Sequence, residues 1–274
     1  MAKELSGIEL AGYIKERQAK QVRMLRQAYG VIPRLVIIKS VMAGEVINTY
    51  VRMKMRYAAD ILIEVTVVEC SQEEMIQAIR DANNDPLVHG IVVQLPIDRP
   101  EQTDEIVSLI DPHKDVDGLG PKAEFVSATA EAIDWLLAGY NIELSDKHIA
   151  LIGHGKLVGR PLDMLWRSRG YDVTVINSDS LDQKKLLRRS NVVVAATGVP
   201  RILTTDMVSA GTIIIDAGTA SESGVIVGDV DPELRNRTDI DITPEKGGVG
   251  PLTIVLMFDH VIRVALAQVA ARGD

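Results

Sequence analysis

Apolar positions recur along this chain with two alternating periods. Residues 5–29 carry them at helical spacing and stop at Gly30. RLVIIKS (34–40) is a nearly continuous apolar run and predicts a buried strand. AGEVINTYVRMKMRYAAD (43–60) predicts a helix, ILIEVTVVEC (61–70) a strand and QEEMIQAIRDAN (72–83) a helix. VHGIVVQLP (88–96) is a third strand, stopped by Pro96, and residues 102–110 predict a short helix. A β-α-β-α-β order implies a parallel sheet covered by helices.

The alternation resumes near residue 147. KHIALIG predicts a strand and RPLDMLWRSRG a helix ending at Gly170. DVTVIN (172–177), NVVVAATG (191–198) and TIIIDAG (212–218) are short, β-branched strands with helical or turn segments between them. The final PLTIVLMFDHVIRVALAQVA has helical spacing. A boundary falls in 120–135, where AEFVSATAEAIDWLLAGY predicts a connecting helix. The expected fold class is therefore α/β, with two α/β domains flanking a cleft, the second a Rossmann-like parallel sheet. The first domain is expected over 1–125 plus a C-terminal helix, 253–274, and the second over 126–252. Such a cleft is a usual place for a small-molecule site.

Composition narrows the partners. The net charge of −8 argues against a nucleic-acid partner and against an anionic membrane surface. One cysteine, Cys70, excludes an intramolecular disulfide, disfavours a cysteine metal site and suits a reducing, cytoplasmic location. No signal peptide is expected from MAKELSGIEL. The apolar stretches read as short strands rather than the roughly 20 residues of a spanning helix, so no membrane partner is expected. His89, His113, His148 and His260 are scattered without metal spacing, so no metal is expected.

Four places carry candidate chemistry. The predicted strand at 147–152 runs into Gly153-His154-Gly155-Lys-Leu-Val-Gly159, a G-x-G-x-x-x-G turn. Glycine there lets the backbone approach a pyrophosphate at a helix N-terminus, and the strand–turn–helix context makes the match meaningful; the alternative is a plain tight turn. The next strand ends at Asn177-Ser178 without the acid that would hold a ribose 2′-hydroxyl, since Asp179 lies slightly beyond. This leans towards NADP, with Arg160 or basic residues of the following helix meeting the phosphate, and leaves NAD open. Tyr50 and Lys54 are spaced i, i+4 and share a helix face, where a partly desolvated lysine moves a proton near neutral pH. The alternative is a solvated face, because Arg52, Arg56 and Tyr57 share this helix. Gln94 stands at the end of a parallel strand, where such sheets bind ligands, or simply caps it. Asp117, in KDVDG, suits paired hydrogen bonds to an amidine-like edge, or simply a turn.

Taken together, YVRMK, GIVVQLP, KDVDG, VGRP, GDVD (228–231) and ITPEKGGVGPLT (242–253) resemble, in order and approximate spacing, the bifunctional methylenetetrahydrofolate dehydrogenase/methenyltetrahydrofolate cyclohydrolases of the FolD type. The resemblance spans nearly the whole chain. It implies oxidation of 5,10-methylenetetrahydrofolate with NADP or NAD, then hydrolysis of the methenyl product to 10-formyltetrahydrofolate, by a homodimer. It implies that Lys54 transfers protons, Tyr50 stacks on the folate, Gln94 tunes Lys54 and Asp117 holds the pterin. Val93 and Leu95, with Gly247, Gly248, Val249, Gly250, Pro251 and Thr253, would line the folate pocket. Gly153, His154, Gly155, Gly159, Arg160, Ser178 and Thr219 would contact the dinucleotide. Ile47 stands where the family usually has serine, and Gly153-His154-Gly155 where Gly-Arg-Ser is frequent. Such departures bear on cofactor preference. A member retaining only the cyclohydrolase step, or a folate- or dinucleotide-binding protein without turnover, is the alternative.

Overall fold

Most elements grow from one of the two periodicities. The computed structural model describes residues 2–222 and 225–272. In chain order it contains α1 (Gly7–Ala28), β1 (Arg34–Ser40), α2 (Glu45–Asp60), β2 (Glu64–Cys70), α3 (Gln72–Asn84), β3 (Gly90–Val93) and α4 (Thr103–Val107). There follow α5 (Ala128–Gly139), β4 (His148–Ile152), α6 (Gly159–Ser168), β5 (Asp172–Ile176), α7 (Gln183–Arg189) and β6 (Val192–Ala195). The chain ends with β7 (Ile213–Asp216), β8 (Ala220–Glu222), β9 (Val225–Val227), β10 (Asp241–Ile242) and α8 (Val249–Ala270).

The chain packs as two units, one of residues 12–128 and 254–274, the other of residues 1–11 and 129–253. The first unit holds a three-stranded parallel sheet in the order β2-β1-β3, with Leu35 opposite Val65 on one side and Gly90 on the other. Central β1 is buried along nearly its whole length, which is why its sequence is continuously apolar rather than alternating. Ile38, Ile91, Val93, Met75 and Ile79 belong to one core beneath α3. Helix α3 starts at a capping box, where the Ser71 amide and hydroxyl each donate to Glu74 Oε2 at 2.9 Å. At its other end Lys114 Nζ donates to the carbonyls of Ala82, Asn83 and Asp85 at 3.1, 2.7 and 2.8 Å, satisfying groups the helix leaves open.

The second unit holds a five-stranded all-parallel sheet in the order β10-β7-β6-β4-β5. Its first strand, β4, lies between the second, β5, and the third, β6. The direction of winding therefore reverses between β4 and β6, and ligands of such sheets bind beyond the carboxyl ends at that point.

Three expectations are corrected. Residues 1–11, expected with the first domain, belong to the second unit. Glu4 bridges Ile242 in parallel, the Leu5 amide donates to the Ile242 carbonyl at 2.9 Å, and Leu5 is fully buried. Strand β10 was not expected, because two residues carry no periodicity. The sequence also showed no apolar run long enough to span a membrane, yet the 22 residues of α8 are long and apolar enough by length and composition. Their apolarity serves the protein interior: Val255, Phe258, Val261, Ile262 and Ala265 are each buried.

Candidate active site

In the first unit the carboxyl ends of β1 and β3 converge with α2. The Gln94 amide continues the β3 ladder by donating to the Ile38 carbonyl at 2.8 Å, so its side chain leaves the sheet just past the strand end. The peptide between Leu95 and Pro96 is cis. Lys54 stands in the middle of α2 and is only 7% exposed. Its Nζ donates to Gln94 Oε1 at 2.9 Å. Burial pushes the ammonium below the usual lysine range, while attraction to Asp117 pulls it part of the way back. The structure therefore brings Lys54 and Gln94 together, with Asp117 close enough for its charge to act on the amine.

Tyr50, one helical turn before Lys54, is half-buried, and burial pushes its phenol upward, so it stays protonated. Two groups of contacts the sequence did not disclose hold α2 in place. Near its start, Lys39 Nζ donates to Asn48 Oδ1 at 2.8 Å, and Asn48 Nδ2 donates to the Ala43 carbonyl at 3.3 Å. Near its end, the Tyr57 ring stacks on Phe258 with centroids 5.4 Å apart, and its hydroxyl donates to Gln18 Oε1 at 2.8 Å.

The KDVDG turn divides its two acids. Asp115 is 1% exposed and accepts from the amides of Gly118 at 3.0 Å and Gly120 at 2.7 Å, which shapes the turn. Gly118 has φ +68°, and a Cβ there would lie 2.6 Å from the Val126 backbone. His260 Nδ1 pairs with the Val116 carbonyl at 2.8 Å, and its ring stacks on Phe125. Asp115 and His260 hold the turn, and Asp117 is only partly buried.

In the second unit the glycine turn sits where the winding reverses. Gly153 has φ +90°, and a Cβ on it would meet the Ala196 carbonyl oxygen at 2.6 Å. Gly159 opens α6, and a Cβ there would meet the Gly153 oxygen at 2.2 Å. Gly155 faces open space, the one glycine of the three free for backbone approach by a ligand. His154 is exposed and pairs with Asp163 at 3.2 Å; Arg160 and Thr219 are exposed, and the Ser178 hydroxyl donates to Asp179 at 3.3 Å. Beyond the sheet, Gly247 has φ +88° and its carbonyl accepts from the amides of Gly7 at 2.8 Å and Ile8 at 3.1 Å. Gly248 is packed on Thr243, whereas Gly250 is open; Val249, Pro251 and Thr253 form the first turns of α8. This run belongs to the second unit, whereas Tyr50, Lys54, Val93, Gln94, Leu95 and Asp117 belong to the first.

A parallel sheet with a glycine turn at its reversal point, and a separate α/β unit carrying a buried lysine, fit the class of dinucleotide-dependent enzymes. Comparison with known proteins makes the assignment specific. Residues 5–117 match the catalytic domain, and residues 127–269 the NAD(P)-binding domain, of tetrahydrofolate dehydrogenase/cyclohydrolase. The chain is 33% identical to the bifunctional protein FolD of Streptococcus uberis, covering 99% of this chain and 100% of that one. Among solved structures, the bifunctional FolD of Campylobacter jejuni superposes with a TM-score of 0.90 at 31% identity, over 98% of this chain and 100% of that one. The Trypanosoma brucei FolD, solved with NADP and an inhibitor, gives 0.90 at 29% identity over 98% of each. The chain belongs to the tetrahydrofolate dehydrogenase/cyclohydrolase family.

Proposed function

We propose that this chain oxidises 5,10-methylenetetrahydrofolate to the 5,10-methenyl cation and hydrolyses that cation to 10-formyltetrahydrofolate. The observation that carries the reading is the buried Lys54 held on Gln94 at 2.9 Å within the field of Asp117. A bound nicotinamide dinucleotide supplies the acceptor for the hydride leaving the one-carbon bridge. The chain's own residues orient and protonate. Asp117 accepts the amino-pyrimidine edge of the pterin and Tyr50 stacks on the folate, fixing the bridge carbon beside Lys54. Water then adds to that carbon. The Lys54 amine takes a proton from the attacking water and returns one to the ring nitrogen as its bond to the carbon breaks. One proton is released overall, and Gln94 keeps the amine aimed throughout.

The dinucleotide is assigned to the turn Gly153 to Gly159, with Arg160, Ser178 and Thr219 beside it, and NADP is the preferred form. The exposed Ser178 hydroxyl and Arg160 support this preference, as does the NADP complex of the Trypanosoma brucei relative. The late glycine run, Gly247 to Gly250, is assigned to the folate side, and the working assembly is a homodimer.

The test follows the absorbance of methylenetetrahydrofolate with NADP and NAD in separate reactions, alongside Lys54→Gln. Reduced cofactor and a transient methenyl band are expected from the parent. The variant is expected to lose hydrolysis by about 10²- to 10⁴-fold, the usual share of general acid–base catalysis, while retaining folate binding. Unchanged hydrolysis in the variant would overturn the role of Lys54.

A further inference from the structure

The acid of the GDVD segment, Asp229, is fully buried in the second unit, and the hydrogen bonds of its carboxylate and amide go to Thr197, Gly198 and Asp216, none of them assigned to a ligand above. One of its oxygens carries three donors. Oδ2 accepts from the Thr197 amide at 2.5 Å, the Thr197 hydroxyl at 2.8 Å and the Gly198 amide at 3.1 Å. The turn after β6 is thus wrapped around a single oxygen, and Gly198 takes φ +70° to complete it. The Thr197 hydroxyl in turn accepts from the Val199 amide at 3.0 Å.

That turn is the wall of the glycine turn. The position of a Cβ on Gly153 lies 2.6 Å from the Ala196 carbonyl oxygen and 2.9 Å from Thr197 Cγ2, so the two loops pack directly against each other. Asp229 is itself fixed from β7. Its amide donates to Asp216 Oδ1 at 2.9 Å, and Asp216 is neutralised by Arg235 at 2.7 Å. The second oxygen, Oδ1, has no hydrogen-bond partner among the described residues, and a Cβ on Gly218 would lie only 2.1 Å from it. An acceptor buried without a donor costs free energy, as does a buried carboxylate. An amide or an apolar side chain would fill this space more cheaply if filling were its only task.

We propose that Asp229 is a positioning residue for the dinucleotide: it holds the turns after β4 and β6 at the spacing the cofactor requires, without touching the cofactor. This rests on the assignment of the dinucleotide to the turn at Gly153. The two turns lie at the carboxyl ends of adjacent strands, on either side of the point where the winding reverses, so a shift of one changes the width of the groove between them. The cyclohydrolase step needs no dinucleotide, and the residues assigned to its proton transfers, Lys54 and Gln94, lie in the first unit. A fault in the groove therefore separates the two activities.

The experiment measures NADP and NAD affinity by titration, dehydrogenase KM and kcat, and hydrolysis of supplied methenyltetrahydrofolate without dinucleotide. The proteins are the parent, Asp229→Asn and Thr197→Val. Asp229→Asn is expected to weaken dinucleotide binding and raise its KM by about tenfold or more, with hydrolysis unchanged; tenfold corresponds to about 1.4 kcal/mol. Thr197→Val removes the hydroxyl's contacts with Asp229 and the Val199 amide but leaves both backbone donors on Oδ2, and is expected to give a smaller loss of the same kind. Dinucleotide affinity equal to the parent's in folded variants would overturn the proposal. So would equal losses of both activities in the milder Thr197→Val, which would mark the acid as a general fold support. A parent that binds neither dinucleotide would instead overturn the assignment on which the proposal rests.

Discussion

Gln94→Leu tests the site most directly. The substitution keeps the approximate size of the side chain and removes the acceptor 2.9 Å from Lys54 Nζ. Lys54 is 7% exposed, so water does not readily replace that acceptor. A hydrogen bond to a charged group contributes about 1.5–3 kcal/mol, which sets an expected fall of roughly 10- to 150-fold in kcat/KM for hydrolysis. The pH profile carries the sharper signature. Losing an acceptor disfavours the ammonium, and burial already pushes it down, so the lysine limb of the profile is expected to move to lower pH. Gln94→Glu reverses the sign: a carboxylate favours the ammonium and moves the limb to higher pH. Hydrolysis of methenyltetrahydrofolate is followed by loss of its absorbance band from mildly acid to mildly alkaline pH, with folding checked by circular dichroism. A limb that stays at the parent position in both variants would refute the claim that Gln94 controls the protonation of Lys54.

Three further outcomes are expected. Because the folded pKa of Lys54 lies below its ordinary 10.5, the unfolded chain binds the extra proton and folding bears a cost that is full at low pH and fades as pH rises towards 10.5. Lys54→Gln is therefore expected to raise the melting temperature at neutral pH while abolishing hydrolysis, and a fall would count against a strained buried amine. His89 behaves similarly near neutrality: burial lowers its pKa from 6.5, so stability is expected to decline as pH drops below 6.5. His89→Gln should blunt that decline in pH-dependent thermal melts. Lys114→Ala removes all three carbonyl contacts at the end of α3. Urea denaturation should show a loss of about 1–3 kcal/mol, and no loss would mean water serves those carbonyls equally well.

The sheets were legible in the sequence because their strands are buried on both faces and read as continuous β-branched runs. Strand ends were less so: β2 starts at Glu64 rather than residue 61 because Leu62 turns with φ +66°. The i, i+4 spacing on α2 joined Lys54 only to Tyr50, and its pairing with Gln94, 40 residues away, was implied by the family resemblance alone. The division of labour between Asp115 and Asp117 could not be read, because both are acids in one turn and only the fold decides which is buried. Asn48, Lys39 and Gln18, which fix α2, gave no local signal either. Their partners lie 5 to 39 residues away and meet them only once sheet and helices have packed. The same holds for Asp229, whose contacts on Thr197 span 32 residues.

The pairing of Glu4 with Ile242 sets the order of synthesis against the order of assembly. Residues around Glu4 dock beside a strand made 238 positions later. Until β10 has emerged, Leu5 has no buried seat in its own unit. The contact between the Leu5 segment and β10 therefore forms only after residue 242 has been made, a long-range closure that is slow beside the local turns of the helices.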